Sequence, residues 1–330
     1  MTKKWLLLLL KITVSAGLIL YLFDSIDLVA AQERLSKVNP IMLLVAASML
    51  LFQMVIGGLR WSAVLRGIGI SIPFWEIARL FYIGSFFNQA LPGGTGGDVV
   101  RIYLVYRGNW GFRGAVNGVL LERVATLLAL IILVLVTLPF FLINLDVSER
   151  AWVIPSVVIL SIISVSGVGL LCLFDRLPCH LHRWRVIQGL GNLAEDARAV
   201  FLRANVAIIA IFWSTAGHIN IAIAVYVLSL GLGLEFTIFE SIVLMPPVLL
   251  AMTIPISIGG WGVRENAMVV AFGLIGITTE AATLLGVLLG IVSLIVALPG
   301  GLFWFAGRKA GAPSLSSVQA ELAAVEPKQK

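Results

Sequence analysis

Two glycine-rich segments of the sequence each place an arginine four residues after a Gly-Gly pair. They are Pro92–Arg101 and Pro255–Arg264, and both follow the pattern P-x-x-x-G-G-x-x-V-R. Proline and paired glycines interrupt a helix, and the free N–H groups at the start of the next helix can bind an anion. A guanidinium group can hold a phosphate through two parallel hydrogen bonds. The pattern therefore predicts that Arg101 and Arg264 bind an anionic group.

Further polar residues near these segments complete the candidate site. Acidic neighbours can limit how tightly the arginines bind an anion, or carry a coupling proton, and ionisable residues inside apolar segments usually face a partner or water. We expect no catalytic residue, metal or cofactor, because no nucleophile elbow, metal-ligand cluster or paired catalytic carboxylates occur in the sequence. The predicted substrate-binding residues are Arg101, Arg264, Gly93, Gly96, Gly97, Gly259, Gly260 and Asn88, and the predicted gating or coupling residues are Asp98, Glu122, Arg123, Glu265 and His218.

A structural interpretation of the same residues stays open. The glycines can simply permit a tight turn, and Arg101 and Arg264 can anchor the chain at the membrane surface, each paired with its acidic neighbour. Glu122 and Arg123 lie near the start of an apolar segment and can extend toward the headgroups. A single histidine such as His218 on an apolar helix can serve as an interhelical hydrogen-bonding group.

The composition places these residues in a membrane. Hydrophobic residues make up 60% of the chain and charged residues 12%, and the mean hydropathy is +1.04. A soluble domain has about twice that charged fraction. The net charge of +6 comes from basic residues in short loops, which indicates membrane topology rather than a nucleic-acid surface. We predict an all-α, polytopic helical membrane protein.

Apolar segments of about 20 residues predict the full membrane spans. Two further apolar runs, at about 72–91 and 236–254, lead into the glycine-rich segments, and a short helix is predicted at about 266–277. Residues 176–203 alternate apolar and charged residues at helical spacing, which is typical of an interfacial amphipathic helix. Residues 308–330 are expected to be a disordered cytoplasmic tail. The predicted spans are 5–23, 40–59, 115–143, 152–174, 205–230 and 281–305.

The two glycine-rich segments lie 163 residues apart, close to half of the 330-residue chain. This offset predicts an internal repeat with halves at about 1–150 and 151–307. If each glycine break is the tip of a re-entrant hairpin, 16 of the 19 loop lysines and arginines lie on one side. That bias predicts two cytoplasmic termini and an inverted repeat of about six spans plus two hairpins. The alternative is about eight full spans.

The motifs also resemble those of a known family. The segments Phe87–Arg101, Leu121–Val124 and Pro255–Glu265 are similar to the signature of the lysylphosphatidylglycerol synthase transmembrane-region family, also called the flippase-like domain family. The resemblance covers about residues 5–307. In members with a C-terminal aminoacyl-transferase domain, the membrane region moves lysylated phosphatidylglycerol between leaflets. About 20 residues follow the last predicted span here, so we expect a stand-alone flippase-like unit without that domain.

The resemblance implies the function that we expect of the chain. It implies a flippase of the inner (cell) membrane that moves an anionic or phosphate-bearing lipid, such as a phospholipid, a polyprenyl phosphate or a hopanoid-type lipid. An accessory subunit or a membrane-embedded transferase of lipid or lipid-linked glycan biosynthesis is the alternative. The expected partners are a membrane lipid and lipid-biosynthetic enzymes, with no nucleic acid. The oligomeric state stays open.

Overall fold

The chain folds as an assembly of helices in the part that the structure describes. The computed structural model describes residue 36 and residues 38–90, 96–143, 145–174, 185–253, 257 and 259–308, where all regular elements are helices. The all-α prediction is confirmed for these ranges. The predicted span at 5–23 and residues 309–330 lie outside them. The helices are α1 (Pro40–Gly67), α2 (Phe74–Ala90), α3 (Gly96–Arg107), α4 (Phe112–Ile143), α5 (Val147–Leu173), α6 (Arg185–Phe201), α7 (Ala204–Gly231), α8 (Ile238–Met252), α9 (Val263–Gly273) and α10 (Thr279–Arg308).

Five of the described helices are long and apolar enough to cross a bilayer. They are α1, α4, α7, residues 150–173 of α5 and residues 279–306 of α10. Each has at least 24 residues, whereas about 20 are needed to cross the hydrocarbon core. The prediction of a polytopic helical membrane protein is confirmed.

The end predicted for the first described span was wrong. We expected this span to end near residue 59, with Arg60 in the following loop, but α1 continues to Gly67. Arg60 therefore lies inside the helix and is only 7% exposed. The guanidinium is accommodated there because Glu122 on α4 pairs with it. The helix ends where Gly69 adopts a positive φ of 82°, a conformation that glycine reaches without steric cost.

The helices beside the glycine-rich segments are short. α2 has 17 residues, α3 has 12, α8 has 15 and α9 has 11. At 1.5 Å per residue, α3 and α9 extend only about 16 to 18 Å, against a hydrocarbon core of about 30 Å. Neither of these two helices is long enough to cross a bilayer alone.

The order of helix lengths occurs twice along the chain. A long helix, two short helices and a long helix make up α1–α4, and the same order returns in α7–α10. The long helices α1 and α7 pack against each other in antiparallel directions. At one end the N–H of Asn39 donates to the carbonyl of Gly231 at 3.0 Å, and at the other end Gly67 lies against Val206.

Contacts between the two sets of helices are reciprocal. α2 packs on α10, and its counterpart α8 packs on α4. In the first contact the hydroxyl of Tyr82 donates to the carbonyl of Val296 at 2.7 Å. In the second, the rings of Phe140 and Phe239 meet edge to face at 5.0 Å. Each short helix before a glycine break therefore contacts the last long helix of the other set.

The predicted amphipathic segment forms a helix over its described part, α6, but its small apolar residues do not face lipid. Ala194, Ala197 and Val200 are fully buried against other helices of the bundle. Arg113 at the start of α4 holds this helix through ion pairs with Glu195 and Asp196, both at 2.8 Å. Ion pairs and buried small residues thus dock α6 onto the protein, and its position at the membrane interface stays a prediction.

Candidate functional site

Five charged side chains from α1, α3 and α4 form a connected ionic cluster. Arg60 donates from Nε to Oε1 of Glu122 at 2.6 Å. Nη2 of Arg101 donates to Oδ1 of Asp98 at 2.6 Å and to Oε2 of Glu122 at 3.0 Å. Arg123 donates through two nitrogens to the two oxygens of Asp98, both at 2.8 Å. We call these five residues the ionic cluster.

The ionic cluster carries one uncompensated positive charge. Its three guanidinium groups and two carboxylates leave a formal charge of +1. Arg101 is 2% exposed, and its Nη1 is buried without a hydrogen-bond partner. Buried guanidinium groups are normally paired, and an unpaired buried donor costs free energy. The cluster is therefore one anionic acceptor short of full pairing.

Aromatic rings and a glycine enclose Arg101. Its guanidinium lies 4.9 Å from the ring centre of Trp61 and 5.0 Å from that of Phe81, both favourable cation–π positions. Gly84 on α2 makes room for the side chain, because a Cβ there would come 2.6 Å from Cγ of Arg101. The side chain is thus held in place by neighbours that do not neutralise it.

The other members of the cluster differ in exposure. Glu122 is fully buried, so the interpretation that it extends toward the headgroups was wrong. The side chain of Arg123 is 45% exposed, whereas that of Asp98 is 11% exposed. Arg123 therefore marks the open side of the cluster, and Asp98 bridges this exposed arginine to the buried Arg101.

At the first glycine break, two predicted ligand-binding groups bind each other. The N–H of Gly97 donates to Oδ1 of Asn88 at 2.8 Å, so this N–H is already satisfied. A Cβ on Gly97 would also overlap the carbonyl of Gly84, which shows that the glycine permits close packing of α2 and α3. Gly96 is the first residue of α3, and Gly93 lies outside the described residues.

The second glycine break holds a closed, neutral pair. Arg264 donates from Nε and Nη2 to Oε1 of Glu265, at 3.1 and 2.5 Å. The other carboxylate oxygen accepts from the N–H of Gly262 at 2.6 Å. Gly259 and Gly260 have φ values of 58° and 81°, which glycine adopts readily. Both arginines are thus paired with acidic neighbours, but only Arg101 keeps a buried donor without a partner.

The two breaks lie next to each other. Oε1 of Gln89, at the end of α2, is 3.4 Å from the position that a Cβ on Gly259 would take. Gly290 on α10 makes room for Arg264, which also lies 4.7 Å from the ring centre of Trp261. The fold therefore brings together residues that are about half the chain apart.

His218 on α7 lies outside the ionic cluster. Its Nε2 is 3.1 Å from the carbonyl oxygen of Thr126 on α4. Because a carbonyl oxygen only accepts hydrogen bonds, this contact requires that Nε2 carries the proton. The hydroxyl of Thr126 in turn donates to the carbonyl of Glu122 at 2.8 Å. This geometry agrees with the interpretation of His218 as an interhelical hydrogen-bonding group.

Sequence reasoning missed three residues of this region. Arg60 was assigned to a loop, and Trp61 and Gly84 were not singled out. An arginine directly after an apolar run gives no local sign that the helix continues, and Glu122 lies 62 residues away. The one available signal was the presence of an unpaired acid, Glu122, in another apolar segment, since buried charges are usually paired.

Comparison with known proteins agrees with this architecture. The profile of the family described as lysylphosphatidylglycerol synthase TM region matches residues 8–301. The chain belongs to this family. The match includes both glycine breaks and all five members of the ionic cluster, so the expected resemblance is confirmed.

A more distant likeness exists to a curated protein. A UPF0104 membrane protein of Pyrococcus horikoshii is 23% identical over 169 residues, which cover 50% of this chain and 46% of that protein. The aligned region therefore spans less than half of the relative. No solved structure matches the chain significantly.

Proposed function

We propose that this family member is a membrane translocase for lipids with an anionic, phosphate-bearing headgroup. The observation that carries the proposal is the buried, unpartnered Nη1 of Arg101 within an ionic cluster of net charge +1. A phosphate oxygen placed there would supply the missing acceptor and neutralise the cluster. Charged hydrogen bonds of this kind are among the strongest that proteins make.

The exposed edge of the cluster supports binding that is reversible. Arg123 is half-exposed and now bonds to Asp98, which also bonds to Arg101. A phosphate that approaches Arg123 and Arg101 competes with this carboxylate for the same donors. Asp98 therefore limits the affinity and re-forms its own bonds when the headgroup leaves. Moderate affinity is what a transport site requires, because the substrate must also be released.

The helix arrangement supports a pathway between leaflets. Three features fit two inverted halves with re-entrant hairpins. They are the short helix pairs α2–α3 and α8–α9, the repeated order of helix lengths, and the antiparallel packing of α1 against α7. In such transporters the substrate site lies near the bilayer midplane, at the interface of the repeats. Contact between Gln89 and Gly259 brings both breaks to one place. We assign the halves to about 1–150 and 151–307.

The two breaks do not carry equal roles in this proposal. Arg264 and Glu265 neutralise each other and are both 2% exposed, so we assign them to holding the second hairpin rather than to gripping the headgroup. Charge bias in the loops leads us to place both termini in the cytoplasm and the protein in the cell membrane.

Lipid translocation by the purified protein in liposomes tests the proposal. We expect fluorescent phosphatidylglycerol to change leaflet faster than the phosphatidylcholine analogue. Arg101→Gln should slow this movement by roughly 10- to 100-fold, the loss of a charged hydrogen bond. The variant leaves two guanidiniums and two carboxylates, so it should fold. Arg107→Gln, which removes the same charge from the end of α3, should transport normally.

Two results would overturn the proposal. One is movement of phosphatidylglycerol at the wild-type rate by folded Arg101→Gln. The other is a new covalent lipid species that forms in the presence of the chain while no lipid changes leaflet, which would assign it to lipid synthesis instead.

A further inference from the structure

A lateral groove between α1 and α7 forms a second site, apart from the ionic cluster. One cavity of about 420 Å³ lies between the end of α1 and the start of α7 and is lined by Ser62, Arg66, Arg203 and Asn205, together with apolar side chains. A neighbouring cavity of about 390 Å³ continues along the same two helices and is almost entirely apolar. Trp213 lines both cavities, so they follow one seam.

The lining of the first cavity is basic and contains no carboxylate. Arg66 and Arg203 both line it, and among the described residues neither forms an ion pair with a carboxylate. The nearest acids on α6, Glu195 and Asp196, are already engaged by Arg113. Arg203 also lines a further cavity that contains these two acids, whereas the first cavity is lined by both arginines and by no carboxylate.

A buried hydroxyl also points to a ligand in this cavity. Ser62 is 3% exposed, and its Oγ has no hydrogen-bond partner. Serine hydroxyls in membrane helices usually bond to the carbonyl one turn earlier, as Ser214 on the facing helix does at 2.7 Å. Ser62, which lines the cavity beside the two arginines, is therefore a buried donor without a partner.

The groove has the length of a lipid in one leaflet. From Phe52, in the apolar cavity, to Arg66, in the basic one, the chain advances 14 residues along α1. At 1.5 Å per residue this is about 21 Å. Half of a bilayer, with its headgroup region, is about 20 to 22 Å thick. The apolar end is open to the surroundings, since Phe52 and Phe212 are 53% and 60% exposed.

We propose that this groove binds one anionic phospholipid. Arg66, Arg203 and Ser62 hold the phosphate, and an acyl chain lies along the apolar seam past Trp213. Free phosphate would use only the basic cavity, whereas the apolar cavity on the other side of Trp213 commits the site to a lipid. The inference goes beyond the proposed function, because the groove binds a lipid whether or not the protein moves lipids between leaflets.

Native mass spectrometry of the full chain in neutral detergent tests this site. The probes are phosphatidylglycerol and phosphatidylcholine with identical acyl chains. We expect phosphatidylglycerol to bind in preference to phosphatidylcholine. In the Arg101→Gln background, which weakens binding at the ionic cluster, Arg66→Gln/Arg203→Gln should weaken phosphatidylglycerol binding by roughly 10- to 30-fold, because each arginine near a membrane surface contributes about 1 kcal/mol. The control Arg79→Gln/Arg107→Gln removes the same charge elsewhere and should retain binding.

Two further variants separate the possible outcomes. Ala63→Leu fills the basic cavity without changing charge and should weaken phosphatidylglycerol binding as well. Arg101→Gln should leave binding in the groove intact even if it abolishes transport, which separates this site from the ionic cluster. Equal binding of both lipids, unchanged binding in the double variant, or displacement of the lipid by soluble glycerol phosphate at equal concentration would overturn the proposal.

Discussion

Replacement of Glu122 by glutamine tests whether the ionic cluster is a connected unit. Glu122 is fully buried and accepts hydrogen bonds from Arg60 on α1 and Arg101 on α3. Glutamine has the same size, but it removes one negative charge, and its NH₂ group can only donate. The formal charge of the cluster rises from +1 to +2, and at least one arginine then faces a donor instead of an acceptor.

The expected cost is large. Removal of one partner from a buried ion pair destabilises proteins by about 3 to 5 kcal/mol, because the remaining charge is buried without compensation. Here two arginines lose their shared partner, so we expect a value in this range for Glu122→Gln. The free energy of unfolding of a typical protein is about 5 to 15 kcal/mol, so the variant should lose a substantial part of its stability.

Unfolding in mixed micelles, titrated with sodium dodecyl sulfate and followed by helicity, measures this difference. Glu235→Gln removes the same charge at an exposed position between α7 and α8 and should change stability by less than about 0.5 kcal/mol. The double variant Arg60→Gln/Glu122→Gln restores the charge balance and should recover part of the loss. A free energy of unfolding of Glu122→Gln within about 1 kcal/mol of the wild-type value would show that the five residues are not a connected unit.

Three further predictions concern packing and contacts outside that pair. Gly97→Ala should destabilise the packing of α2 against α3, because its Cβ would overlap the carbonyl of Gly84 on α2. The control Gly167→Ala lies on α5 with open space around it and should be neutral or stabilising by up to about 1 kcal/mol. Unfolding curves of the two variants measure the difference. Arg113→Gln should loosen α6 by about 1 kcal/mol, since its partly exposed ion pairs are screened, and amide exchange in residues 189–201 should become about fivefold faster. His218→Phe removes the hydrogen bond to Thr126 and should lower the free energy of unfolding by about 0.6 to 1.7 kcal/mol. The pH dependence of lipid movement should not change. A shifted pH profile would instead assign His218 to proton coupling.

The helices and the glycine breaks were predictable because their signals are local. Apart from the end of α1, the apolar segments within the described ranges had nearly the observed bounds, and α8, expected at about 236–254, runs over Ile238–Met252. At the start of α8, Thr237 and Glu240 form a capping box. Capping residues and apolar runs act over a few residues, so a sequence displays them directly.

The partners within the site were not predictable in the same way. Arg60 and Glu122 meet across 62 residues, and Arg113 and Asp196 across 83. Neither contact leaves a local pattern. The N–H groups of the breaks were expected to await an anion, but Asn88 and Glu265 already accept from Gly97 and Gly262. Which acceptor satisfies a helix N-terminus depends on the chain packed in front of it, and sequence spacing alone does not specify this.

The comparison of the two breaks explains why a symmetric motif gives an asymmetric site. Each break places an arginine at the same offset from its Gly-Gly pair, yet the surroundings differ in charge. On α4, the carboxylate of Glu122 pairs with Arg101, whereas on α10 Gly290 lies against Arg264. At the motif position of Asp98, the second glycine-rich segment has Trp261. Both breaks thus contain the motif glycines and the arginine, while of the two buried ionic groups beside them only the one at the first break carries a surplus positive charge. Under the proposed function, this difference leaves one anion-binding site, at the first break, and Arg101→Gln should therefore impair lipid movement far more than Arg264→Gln does in any variant that still folds.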